Sequence, residues 1–178
     1  MTLSENALSY LGQMEVKKDV TKDGINNPVY GNFGFVDKAF EDEMLEEGWH
    51  PGWAWCSIFA KVVAVNCHPE DEKILRSLFS PSAVQTFNNF KKAGYSIHSL
   101  PVVDSIVIWQ SYKDGKPLET GHAGIVVHTN EKDPEAFESV EGNTSTKDIR
   151  EGYIVDRHPH RVNQQVTNGL KVLGFIKL

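Results

Sequence analysis

The sequence has no apolar run of about eighteen residues, the length a helix needs to cross a bilayer, so no membrane-spanning helix is expected. Its opening, MTLSENALSYLGQMEVKKD, lacks the basic start and apolar stretch of a secretory leader. Lysine and arginine form no cluster and the net charge is −6, which excludes nucleic acid as the main partner, because phosphate contacts need gathered cations. Cysteine is scarce. Cys56 and Cys67 stand eleven residues apart, about three helical turns, too far to bridge along one helix. There is no CxxC pair for zinc or redox exchange, which fits synthesis in a reducing compartment. No HExxH or GxSxG occurs. Repeats, low-complexity tracts and Pro/Ser linkers are missing too. What remains is a chain of 178 residues, 40% hydrophobic, expected to form a single domain over residues 1–178 with one core and no separate wall-binding domain.

The order of patterns sets the fold class. SENALSYLGQM has Ser4 as a cap residue and apolar spacing at Ala7, Leu8 and Leu11, which predicts a short first helix. TKDGINNPVYGNFGF is rich in Gly, Asn and Pro and predicts a loop. VDKAFEDEMLEEG predicts a second helix closed by Gly48. From Trp55 to Cys67 only Ser57, Lys61 and Asn66 are clearly polar, the pattern of a central, buried helix ended by His68-Pro69. PEDEKILRSLF carries acids in a first turn. SPSAVQTFNNFKKAG offers Ser80 as cap, Pro81 at the first helical position and Gly94 at the end. After Gly94 the pattern turns to strands: SIVIWQ, an Asp-Gly turn, HAGIVVHT, AFESVE, GYIVD and LKVLGFIKL. Helices followed by hairpin-linked strands predict an α+β fold, N-terminal helices packed on a C-terminal antiparallel sheet.

Chemistry gathers at three places. Cys56, in GWHPGWAWCSIFAKVVAVNC, stands at the predicted start of the buried helix. A helix N-terminus favours thiolate over thiol, and its unbonded N–H groups can stabilise an oxyanion. Cys67, at the other end, has neither advantage and is expected to pack in the core. His122 opens GHAGIVV, with alternation placing His122, Gly124 and Val126 on one face, and Gly121 and Gly124 permitting close approach. A cysteine nucleophile needs such a base, and the base needs an orienting group. SVEGNTS offers Glu141 and Asn143, two apart and so on one side if extended. Each segment also has a plain structural reading: a core cysteine, a strand-end histidine, a turn with a surface acid. Asn-Thr-Ser matches a glycosylation acceptor, set aside because no secretory route is visible.

Taken in order, GWAWCSIFAKVVA, GHAGIVV, VEGNTS and the closing VLGFIKL resemble the CHAP family, the cysteine, histidine-dependent amidohydrolases/peptidases of phages and bacteria. The similarity runs over residues 7–178, its first helix included. It departs at Ala54, where the family carries Pro, and at Asp104-Ser105, where it carries Gly-Asp. The resemblance implies a papain-like fold and cleavage of amide bonds in bacterial peptidoglycan, as an N-acetylmuramoyl-L-alanine amidase or an endopeptidase. It implies Cys56 as nucleophile, His122 as general base and then acid, Glu141 as orienter, and Asn143 as assistant. Trp55 would wall the substrate groove, with Trp53 and His50 beside it. The implied setting is an endolysin-like enzyme made in the bacterial cytoplasm without a leader, reaching the wall after release or by delivery on a phage virion or carrier protein.

Some CHAP hydrolases bind calcium ahead of the cysteine. Asp37, Glu41, Asp42 and Glu43 lie there, but their spacing is not that of an oxygen-ligand loop, so no cofactor is expected. His158 and His160, in RHPHR, are expected on a solvated, proline-containing turn rather than around zinc. His68, His98 and His128 have no partner motif. Two other readings stand beside the enzyme. One is a non-enzymatic adaptor or plug of a phage virion built on the same fold, and the other is a toxin injected into rival bacteria.

Overall fold

Thr2, rather than Ser4, caps the first helix, α1 (Leu3–Ser9). Its Oγ1 accepts from the Glu5 N–H at 3.2 Å, and the Glu5 carboxylate accepts from the Thr2 N–H at 2.8 Å, a reciprocal capping box. The computed structural model describes residues 1–22, 25–145, 152–163 and 169–178. The segment expected as a loop instead contributes to an antiparallel hairpin, β1 (Lys18–Lys22) with β2 (Ile25–Val29). Both strands are edges, where Pro28 is tolerated. Turn-forming residues mark a bend but do not say how far pairing extends on either side of it.

Asp37 caps α2 (Lys38–Glu46), its Oδ1 accepting from the Ala39 N–H at 2.9 Å. The buried helix is α3 (Cys56–Cys67), as its composition predicts. Its few polar residues are all engaged. Ser57 Oγ donates to the Ser80 carbonyl at 2.6 Å, Lys61 Nζ to the Glu47 carbonyl at 2.8 Å, and Asn66 Nδ2 to Tyr10 Oη at 3.0 Å. A 3-10 turn (Pro69–Asp71) leads into α4 (Glu72–Leu78). The next helix, α5 (Ala83–Lys92), is capped by Ser82, whose Oγ accepts from the Gln85 N–H at 3.3 Å, so Pro81 precedes the cap instead of following it. The Ser80 hydroxyl instead accepts from the Ser82 N–H at 3.2 Å, before the helix begins.

Six strands follow: β3 (Ser96–His98), β4 (Ser105–Lys113), β5 (Lys116–Asn130), β6 (Asp133–Thr144), β7 (Ile154–Arg161) and β8 (Gly169–Lys177). They form one antiparallel sheet in the order β3-β8-β4-β5-β6-β7. Among the described residues the fold is therefore mixed α/β, with five helices and a six-stranded antiparallel sheet, and with a hairpin between the first two helices. His158 and His160 lie on β7, not on a turn. The strand predicted from GYIVD therefore runs on through RHPHR; Pro159 hides that extension from sequence reading, yet β7 is an edge strand, where one missing donor is tolerated.

Strand alternation splits the apolar residues between two faces. Ile106, Ile108, Ala123, Ile125, Val140 and Ile176 join the helices in the main core, and α3 packs on β5 and β6. Val107, Trp109, Val126, Phe137 and Phe175 form a second cluster on the far face. The rings of Phe137 on β6 and Phe175 on β8 meet edge-on at 5.2 Å. Those strands lie three places apart, about 14 Å in a flat sheet, so the sheet curls strongly around this face. The chain enters β4 through Asp104, whose φ of 60° is left-handed. The strain is offset by a bond from the Ser4 N–H to Asp104 Oδ1 at 2.8 Å, which ties α1 to the sheet.

Candidate functional site

The start of α3 meets the sheet where β5 and β6 part. Their pairing begins at Ile125 and Val140, and nearer the helix β5 is left with backbone donors facing the gap. Cys56 sits in that gap. Its Sγ accepts hydrogen bonds from the backbone N–H groups of Ala123 and Ser57 and is hydrogen-bonded to His122. The approach is close because Gly142, on β6, has no side chain. A methyl group there would lie 2.6 Å from the ring of Trp55 and 2.7 Å from Cβ of Phe59.

His122 Nε2 donates to Oε2 of Glu141 at 2.8 Å. With Nε2 so engaged, Nδ1 is the nitrogen that faces the sulphur. Glu141, only 4% exposed, has its other oxygen, Oε1, held by Ser139 Oγ and by His160 Nε2, each at 2.6 Å. Three side chains singled out from the sequence, Cys56, His122 and Glu141, thus form one hydrogen-bonded chain. Asn143, with a left-handed φ of 55°, lines the same cavity. Sequence reading missed His160, whose link to Glu141 spans nineteen residues and two strands. It also missed Ser139, which the alternation of SVEGN places on the Glu141 face.

The electrostatics favour charge separation. Burial opposes the Cys56 thiolate, but the His122 charge, its hydrogen bond and the two backbone donors outweigh burial and hold the thiol below its ordinary range. Burial also opposes the imidazolium of His122. The neighbouring sulphur charge and the bonds to Cys56 and Glu141 prevail and push it up to about 10. Glu141 stays well below the usual carboxylate range despite burial, through the bonds from His122 and His160. Cys67 goes the opposite way, since burial raises its thiol.

A cavity of about 860 Å³ opens beside Cys56 and His122. Asn32, Gly52 and Ala54 line it from the segments before α3, and Tyr112, Leu118 and Leu170 from the β4–β5 hairpin and β8. Trp55 does not wall it. That expectation is corrected, because the indole is fully buried at 0% exposure among Phe35, Phe40 and Phe59. Its Nε1 donates to Glu15 Oε1 at 2.7 Å, and the other oxygen of Glu15 accepts from the Asn32 N–H at 2.8 Å. Trp55 therefore supports the cavity from behind. Trp53, 45% exposed, stands edge-on to the exposed ring of His50 at 4.9 Å, and both lie beside the cavity-lining Gly52 and Ala54 without lining the cavity themselves.

Three of the four acids before the cysteine are committed elsewhere. Asp37 caps α2, Glu41 accepts from the Phe35 N–H at 2.6 Å and pairs with Lys38, and Glu43 accepts from Tyr10 Oη at 2.5 Å. Among the described residues no three His, Cys, Asp or Glu side chains are arranged to hold a metal ion. Among the described residues no helix is long and apolar enough to cross a membrane.

A thiol, an imidazole and a carboxylate bonded in series can hold a thiolate and deliver a proton to a leaving group. The start of α3 adds N–H groups without intrahelical acceptors, and no side chain caps it. Comparison with known family models, curated proteins and solved structures finds no match to this chain.

Proposed function

We propose that the chain is a cysteine hydrolase that cleaves amide bonds of bacterial peptidoglycan, on a papain-like fold of the CHAP kind. The observation that carries the reading is the bonded series Cys56, His122, Glu141 at the edge of an open cavity. The position of Asp104 adds support: the CHAP pattern has Gly there, and this chain adopts the left-handed φ that glycine favours.

In this reading the Cys56 thiolate attacks the amide carbonyl, and the N–H of Cys56 helps hold the developing oxyanion. The imidazolium of His122 gives its Nδ1 proton to the amine, which leaves. A thioester remains. Water attacks it, His122 takes the water's proton, and the thiolate departs from the new acid. Glu141 holds the ring plane throughout, and Asn143 assists from the cavity wall. The partner is cell-wall peptide, reached after release or by delivery on a virion or carrier.

Clearing of purified cell walls by the protein and by its Cys56→Ser variant tests this. The wild type is expected to clear and the variant to lose at least about a thousandfold in rate. Equal clearing ends the nucleophile assignment, and no clearing by either, with an unreactive Cys56, favours the adaptor. Mass spectrometry of the digest separates amidase from endopeptidase by the new terminus it finds.

A further inference from the structure

The second imidazole on Glu141 has no part in the series just described. The torsion that turns a glutamate carboxylate is broad, so a single partner on one oxygen leaves the carboxylate plane loose. Here Oε2 faces His122, while Oε1 takes both Ser139 and His160. Ser139 is two residues away on the same strand, β6, so its bond does not tie the carboxylate to a neighbouring strand. His160 comes from β7, and its ring is wedged beside Trp109 at 5.0 Å and Phe137 at 5.4 Å, so its Nε2 has a fixed aim.

We propose that His160 is a positioning residue: by pinning Oε1 of Glu141 from the neighbouring strand, it keeps Oε2 on Nε2 of His122 and thereby keeps Nδ1 on the Cys56 sulphur. This rests on the hydrolase reading of Cys56, His122 and Glu141 given above. His160 does not itself line the cavity, and its effect runs through the carboxylate. Aromatic rings stand about His160, and Glu141 is its acceptor.

The test is the rate at which iodoacetamide alkylates Cys56 in the full chain at neutral pH, with Cys67 as internal reference. His160→Phe keeps an aromatic ring between Trp109 and Phe137 but removes the donor. His160→Gln restores an amide N–H near the place of Nε2. Alkylation of Cys56 is expected to slow about tenfold in His160→Phe and to return within about threefold of wild type in His160→Gln, with the Cys67 rate unchanged in both. A Phe variant as fast as wild type, or a Gln variant no faster than Phe, overturns the inference. If the Phe variant does not fold, His160→Met, also without a donor, makes the same comparison. A wild-type Cys56 no faster than free cysteine would instead bring down the hydrolase reading itself.

Discussion

The side chain of Glu141 crosses the bare backbone of Gly124: a methyl group on Gly124 would come within 2.7 Å of Cγ of Glu141. The two face each other across β5 and β6, just past the Ile125–Val140 pair. His122 lies two residues before Gly124 on the same face, so the carboxylate reaches it only by passing this point.

Gly124→Ala is therefore expected to push the carboxylate off His122. Iodoacetamide alkylation of Cys56 should fall at least about tenfold, with a stability loss of about 1–3 kcal/mol from overpacking. A folded variant that alkylates at the wild-type rate would show that Glu141 does not need this path.

The two cysteines should titrate in opposite directions. Alkylation of Cys56 is expected to have a midpoint well below the free thiol's, about 8.5, and that of Cys67 one above it. Glu141 and His122, bonded in series with Cys56, carry a pH dependence of stability. Glu141 is depressed in the folded state, so its contribution is present above about 4.3 and is lost as pH falls through the lower folded value. His122 is raised, so its contribution is complete below about 6.5 and is lost as pH rises through about 10. Thermal melts from acid to alkaline pH check both limbs. Melts that improve between neutral pH and pH 10 would contradict the assignment for His122.

Trp55 and Trp53 should separate cleanly. Trp55→Phe removes the donor to a buried Glu15 and is expected to cost about 1–3 kcal/mol, roughly 2–12 °C in melting temperature. Trp53→Ala, at an exposed position, should leave the melt within about 1 °C. The reverse ranking would refute the placement of Trp55 behind the cavity.

Glu47 is buried beneath α3 and is held by Lys61 Nζ at 3.2 Å and Arg76 Nη2 at 2.5 Å. Arg76→Ala should cost about 2 kcal/mol, because a buried carboxylate loses a partner, and should leave Cys56 alkylation unchanged. A drop in Cys56 reactivity would mean that the Glu47 ion cluster is coupled to the start of α3.

Much of the secondary structure is local and was legible. The apolar run of α3 marks a central helix whatever packs on it, and GHAGIVV alternates as a sheet strand must. The caps were less legible, because Ser80 and Ser82 are equally good by type and only the backbone path decides which hydroxyl meets the first-turn N–H of Gln85. The β1–β2 hairpin and the part of β7 beyond Asp156 were missed because Gly, Asn and Pro argue against a strand, and an edge strand tolerates what a central one does not.

By itself the sequence determined the chemical types and their order: a thiol at a helix start, an imidazole at a strand, a carboxylate on the next strand. These follow from periodicity and helix-end physics acting over a few residues. Tertiary structure alone decided which groups meet. Glu141 bonds two histidines nineteen residues away on either side, and Trp55 turns inward to Glu15 forty residues before it. Such contacts depend on strand register and on the curl of the sheet, which arise from packing summed over the whole core and leave no mark at the positions themselves.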